Sequence, residues 1–277
     1  MLIIQYLILG IIQGITEPLP ISSSGHLRIF QELFNANMFN DLNFEIFVHF
    51  GSLVAIFIIF KKDIIKLIRG FFGFIFTKAD SKENAKKKES FRLDYKYCWL
   101  IVIGTIPAGI TGFLFKEFLE ERLADIRIVG IALFITALML FVVKNIKGRK
   151  DDKDITYKDA ILIGLMQAIA LVPGISRSGT VLVGCLLRDF KREVALKYTF
   201  MLFFPITIAS MILGVTDFLN DPNLNTLILP YTIGMVAAGI VTYFSFKWLS
   251  SIVKKGKLWK FAIYCIIAGI FVLYYFR

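Results

Sequence analysis

From Ile46 to Phe60 the chain carries no charged side chain, and from Ile126 to Val143 it carries one, Arg127. A helix built from either run is apolar nearly all round, and the place that suits one is the interior of a bilayer. The composition agrees. Hydrophobic residues make up 57% of the 277 and charged residues 19%, too little polar material to skin a soluble domain of this size. The chain reads as a polytopic membrane protein, which excludes a soluble enzyme, a secreted disulfide scaffold and a disordered chain.

A net charge of +11 would suit nucleic acid, but the placement of the cations argues against such a partner. Of 32 Lys and Arg, 26 fall in four blocks, Lys61–Lys96, Lys144–Lys158, Arg188–Lys197 and Lys247–Lys260. These read as short cytoplasmic loops between apolar segments. Cys98, Cys185 and Cys265 show no paired spacing and suggest no disulfide framework. The first cation is Arg28, so the apolar start lacks the basic region of a signal peptide and is expected to be retained.

Six segments fit full spans: Asn43–Phe60, Tyr97–Phe115, Arg127–Val143, Tyr198–Val215, Leu229–Leu249 and Leu258–Phe276. Two others, Met1–Phe30 and Ala160–Leu187, are interrupted by Pro18-Leu-Pro-Ile-Ser-Ser-Ser-Gly25 and Pro173-Gly-Ile-Ser-Arg-Ser-Gly179. Proline and glycine stop a helix, and serine favours starting the next. Both therefore read as re-entrant hairpins of half-helix, polar tip and half-helix. Charge supports this. With Lys61–Lys96 inside, the acids Glu117, Glu120, Glu121 and Asp125 fall outside, as do Asp217 and Asp221. All four basic blocks share one side only if the second broken segment turns back.

The broken segments also resemble each other. Aligning Gly10–Gly25 with Gly164–Gly179 gives seven identities in sixteen, including Gln13/Gln167, Ser22/Ser176, Ser24/Ser178 and Gly25/Gly179. Gly104–Ile110 matches Gly234–Ile240 at four of seven places. The expected fold is an all-α polytopic membrane protein, one integral domain over 1–277, with inverted repeats at about 1–144 and 158–277. Six spanning helices and two re-entrant hairpins make it up, and the hairpin tips meet near the midplane.

Once loop charges are set aside, one cation and one acid remain deep in apolar sequence, Arg177 and Glu17, and both flank the tips. Ionised groups at membrane depth cost several kcal/mol and are rarely idle. The bland alternative is an ion pair locking the two halves together. The tips suggest more. Ser22, Ser23, Ser24 and Gly25 on one side, and Ser176, Ser178, Gly179 and Thr180 on the other, each lead into a half-helix whose N–H groups suit an anion. With the Arg177 guanidinium they outline a phosphate cradle. His26 is the candidate proton-transfer group or nucleophile. His49, inside an apolar span, reads as structural. Gln13 and Glu17 share a helix face, where Glu17 would ligate a hard divalent cation with Gln13 beside it. Gly10 and Gly14 read as close helix packing.

QGITEPLPISSSGH followed by PGISRSGT resembles the undecaprenyl pyrophosphate phosphatases of the bacitracin-resistance type, and the likeness covers the whole chain. It implies an enzyme of the bacterial cytoplasmic membrane that removes the terminal phosphate of undecaprenyl diphosphate, with Mg²⁺ or Ca²⁺, and recycles the lipid carrier of envelope synthesis. The active site would open to the outer face, and a homodimer is compatible. The family's acidic, Ser, His and Arg positions fall on Glu17, Ser23, His26 and Arg177; Gln13 stands where many members have a second Glu. The nucleophile is left open between Ser23 activated by His26, His26 itself, and water.

Three rival readings share some of these features. A transporter or flippase of a phosphorylated prenyl lipid shares the inverted architecture. A vanadium-haloperoxidase-like phosphatase needs a second His after its Arg motif, and no His follows position 49. An intramembrane serine protease has no use for a buried Arg beside its nucleophile.

Overall fold

A computed structural model of the chain describes residues 2–34, 42–115, 118, 123, 125–219 and 224–277, without the side chains of 42 and 216–218. Glu117, Glu120, Glu121, Asp221 and the Asp217 side chain lie outside the described residues, so their expected placement is not addressed. Ten α-helices are described: α1 Leu2–Thr16, α2 Ser23–Leu33, α3 Leu42–Phe76, α4 Lys82–Leu114, α5 Ile126–Val142, α6 Tyr157–Ile169, α7 Arg177–Leu187, α8 Arg192–Leu219, α9 Leu224–Lys254 and α10 Trp259–Tyr275. Among the described residues there is no strand, only one parallel bridge between Lys150 and Phe190. Among the described residues four helices, α3, α4, α8 and α9, are long and apolar enough to cross a membrane. The chain is a multi-pass, all-helical membrane protein.

One boundary expectation fails. Lys61–Lys96 is not a simple loop, because α3 runs on to Phe76 and α4 begins at Lys82. Lysine and glutamate are good helix formers, so charge ends a membrane span without ending the helix. The two extensions are zipped together. Phe74 stacks on Tyr95 at 4.5 Å between ring centroids, Lys66 meets Asp94 at 3.3 Å, and the missing side chain of Gly70 admits Asp94. Lys247–Lys260 is likewise mostly helical, α9 continuing to Lys254.

The two halves repeat one packing pair. Gly10 of α1 lies against the backbone of Gly234 on α9, and Gly164 of α6 lies against Gly104 on α4. These are the glycines that the internal alignment pairs. A Cβ at Gly164 would come within 2.5 Å of the Gly104 carbonyl oxygen, so only a hydrogen permits that approach. At Gly14 a Cβ would meet Ala238 O at 2.7 Å, as the helix-packing reading requires.

The basic blocks gather at one end. Lys197 bonds Asp152 at 2.7 Å and Asp63 at 3.2 Å, tying three blocks together, and Lys254 reaches Glu193 at 3.2 Å to bring in the fourth. Asp159, fully buried at the start of α6, receives Lys150 at 2.9 Å, Arg188 at 2.6 Å and the Thr156 N–H at 3.0 Å. Against burial, which raises its pKa, the Lys150, Thr156 and Arg188 hydrogen bonds lower the Asp159 carboxyl to about 2. This junction pins the outer ends of α6 and α7.

Candidate active site

The two tips touch. Gly25 lies close to Gly174, Gly179 lies close to Pro20, and the Ser178 hydroxyl donates to the Leu19 carbonyl at 3.1 Å. Each tip is shaped by its serine cap. Ser22 Oγ accepts from the Gly25 N–H at 3.2 Å, and Ser176 Oγ from the Gly179 N–H at 3.1 Å. Ser22 holds φ at +73°, a conformation L side chains rarely adopt; such strain concentrates at functional sites.

These caps narrow the expected phosphate cradle. Ser22, Ser176, Gly25 and Gly179 spend polar groups on one another, and the Thr180 hydroxyl donates back to the Ser176 carbonyl at 2.7 Å. The internal bonds arise because a helix N-terminus leaves N–H groups that nearby hydroxyls satisfy first. Ser24 is half-buried on the first turn of α2. Ser23 and Arg177 face the acid.

Glu17, just past the end of α1, is the hub. Its Oε2 accepts from Ser23 Oγ at 2.6 Å and from Gln13 Nε2 at 2.9 Å, and its Oε1 accepts from Arg177 Nη2. The carboxylate is nearly inaccessible, with 3% of its side chain exposed. Arg177 also donates to Thr207 Oγ1 at 3.3 Å, and its guanidinium lies 4.4 Å from the centre of the Phe203 ring. A small recess beside the pair is lined by Glu17, Arg177, Ser178, Thr199, Phe200 and Phe203.

The two histidines have different neighbours. The His26 ring bonds elsewhere than Ser23: its Nδ1 lies 2.7 Å from the Ser22 carbonyl and its Nε2 lies 2.7 Å from the Tyr264 hydroxyl. His49, expected to be structural, brings Nε2 to 3.4 Å from Glu17 Oε2, with Nδ1 at 2.7 Å from the Glu45 carbonyl. Glu45, in the first turn of α3, lies near His49, Arg28 and Glu17 and is a second acid close to the site. The sequence signal for both was one helical turn of spacing, Glu45 to His49, on an otherwise apolar face.

A divalent cation would meet one carboxylate already served by four donors, and no group of three or more His, Cys, Asp or Glu that could hold a metal occurs among the described residues. Yet Gln13 Oε1 is buried with no hydrogen-bond partner, beside that carboxylate. Together they offer a hard cation one carboxylate and one amide oxygen and leave its other positions open.

A family model described as bacitracin resistance protein BacA matches residues 6–271. Undecaprenyl-diphosphatase 1 of Bacillus cereus is 44% identical over 271 residues, covering 98% of this chain and 97% of the relative. The undecaprenyl-diphosphatase of Oceanobacillus iheyensis is 41% identical over 273 residues, covering 98% and 96%. Undecaprenyl-diphosphatase 1 of Halalkalibacterium halodurans is 39% identical over 272 residues, again covering 98% and 96%.

Proposed function

The chain belongs to the bacitracin resistance protein BacA family, and on that premise we infer that it hydrolyses undecaprenyl diphosphate to undecaprenyl phosphate and inorganic phosphate. That reaction recycles the lipid carrier of cell-envelope synthesis and confers bacitracin resistance. The observation that carries the reading is the joining of Glu17 and Ser23 from the first tip with Arg177 from the second in one hydrogen-bonded set.

The residues divide the work. The planar guanidinium of Arg177 uses two of its donors on Glu17 and Thr207 and has further N–H groups to offer phosphate oxygens. An arriving diphosphate competes for that fork, and each donor Glu17 gives up makes its carboxylate more basic. Glu17 then takes the Ser23 proton while Ser23 Oγ attacks the terminal phosphorus. Undecaprenyl phosphate leaves as the anhydride P–O bond breaks; water then attacks the phosphoserine phosphorus, the Ser23 Oγ–P bond breaks, and Glu17 returns its proton to Ser23 Oγ as phosphate departs. Arg177 offsets charge on the transferring group, which preorganised donors do best in a site shielded from water. Bound by Glu17, Gln13 Oε1 and substrate oxygens, Mg²⁺ or Ca²⁺ would supply further charge neutralisation.

The membrane arrangement follows the same logic. The 17-residue helices α5 and α10 join the four long ones as spans, while α1, α2, α6 and α7 pair as half-helices. Two inverted repeats, about 1–144 and 158–277, then place the basic end in the cytoplasm and open the site to the outer face of the bacterial cytoplasmic membrane. The contacts among all four basic blocks support a common side for them. Between α3 and α9 runs an apolar groove of about 580 Å³, with Gly51 and Gly239 where the two helices meet and Phe50, Ile58 and Phe244 among its walls. It begins one residue beyond His49, at the level of the site, and suits part of the prenyl chain.

Purified protein in proteoliposomes loaded with undecaprenyl diphosphate separates hydrolysis from transport. Released phosphate supports this reading; lipid crossing the bilayer without phosphate release supports a flippase instead.

A further inference from the structure

His26 Nδ1 faces a carbonyl oxygen, that of Ser22, at 2.7 Å. A carbonyl only accepts, so Nδ1 carries the hydrogen and the tautomer is set. The same carbonyl accepts the His26 backbone N–H at 3.2 Å, and the strained Ser22 backbone holds it in place. Nε2 is then the one ring nitrogen left for proton exchange, and it meets the Tyr264 hydroxyl at 2.7 Å. The two rings stack, 16° from parallel with centroids 5.5 Å apart. Tyr264 comes from α10, far along the chain, and its side chain is 43% exposed to the surroundings of the bundle.

A phenol both donates and accepts. Toward neutral His26 it donates to the Nε2 lone pair; toward the imidazolium it turns and accepts the Nε2 hydrogen. The contact therefore survives either charge state, and the phenol keeps its own proton. A carboxylate or ammonium partner would favour one state and resist the other.

We propose that Tyr264 is a positioning residue for His26, holding Nε2 in place through gain and loss of the ring proton. The proposal takes up the sequence expectation that His26 exchanges a proton during hydrolysis, beside the roles given above to Glu17 and Ser23, and it adds a residue from the last helix to a site built by the two tips. Tyr264→Phe removes the hydroxyl and keeps the stacked ring, at an exposed position that tolerates the change. With only two histidines in the chain, nitrogen-15 spectra of histidine-labelled protein resolve each ring. In Tyr264→Phe the His26 nitrogen signals shift while those of His49 stay. Phosphate release from undecaprenyl diphosphate falls about tenfold in kcat with KM kept, the scale of one hydrogen bond. In a His26→Ala background, adding Tyr264→Phe costs nothing more. Unchanged His26 spectra, or a full additional loss in the His26→Ala background, overturns the proposal. Wild-type turnover in His26→Ala would instead overturn the hydrolytic role of His26, while the spectra still decide whether Tyr264 holds the ring.

Discussion

Glu17 takes hydrogen bonds from Ser23, Gln13 and Arg177 and has His49 at 3.4 Å, so its substitutions separate charge from packing. Glu17→Gln keeps the shape and loses the base; phosphate release should fall about a thousandfold, within the range of lost general-base catalysis, and added Mg²⁺ should restore little. Gln13→Ala should cost less, and Gln13→Glu should be tolerated. Equal loss in Gln13→Ala with an active Glu17→Gln would move the essential group to Gln13. Arg177→Lys keeps the charge and loses the fork, so turnover should drop about a hundredfold while the folded protein persists. His49→Ala should slow release about fivefold, the loss of one ion-pair contact that the imidazolium, its Nδ1 donating to the Glu45 carbonyl, makes with the carboxylate, and His49→Gln, which keeps a donor and loses the charge, should recover part of it. Glu17 and Arg177 were legible because every other deep position in the apolar segments was uncharged. Tyr264 and Thr207 were not, since an aromatic or a threonine on an apolar helix reads as packing until another helix is placed beside it.

At the scale of helices, the broken segments were legible from proline, glycine and serine at matching places, and the caps at Ser22 and Ser176 bear this out. The lengths of α3 and α4 were not, because hydropathy marks where a bilayer ends rather than where a helix does. Close helix contact yields a stability prediction. At Gly10 a Cβ would collide with the Gly234 backbone, whereas at Gly109 it meets nothing within 4 Å. Gly10→Val should therefore cost at least about 2 kcal/mol of stability and yield little folded protein, while Gly109→Ala should express normally in detergent. Asp159 gives a pH dependence. Its folded-state pKa, about 2, lies below the ordinary 3.8. The stability it contributes is complete above about pH 4 and is lost as pH falls toward 2. Thermal unfolding should show Asp159→Asn less stable than the parent at pH 7, with the gap closing as pH approaches 2.

For the molecule as a whole, the four basic blocks meet at one end, although their separations in sequence are long. Cysteines at Lys87 and Arg192 should thus be labelled from the same side of sealed vesicles, the cytoplasmic one. Labelling from opposite sides would exclude a re-entrant second hairpin. Ile240→Trp, in the wall of the apolar groove, should raise KM for a C55 diphosphate and leave a short prenyl diphosphate unaffected. Repeat symmetry was legible from Gln, Ser and Gly aligning together; the groove was not, because its walls are ordinary lipid-facing residues until α3 and α9 are set side by side. The central claim is that two tips, one from each half, combine into a single phosphatase site. Phosphate release from undecaprenyl diphosphate by purified wild type, Ser23→Ala, Glu17→Gln and Arg177→Lys tests it most directly. Release by wild type, with each of the three variants slower by at least about a hundredfold though folded, is the predicted result. Near wild-type release by Arg177→Lys and Ser23→Ala would contradict it, leaving Glu17 and Arg177 as an ion pair that only holds the halves together.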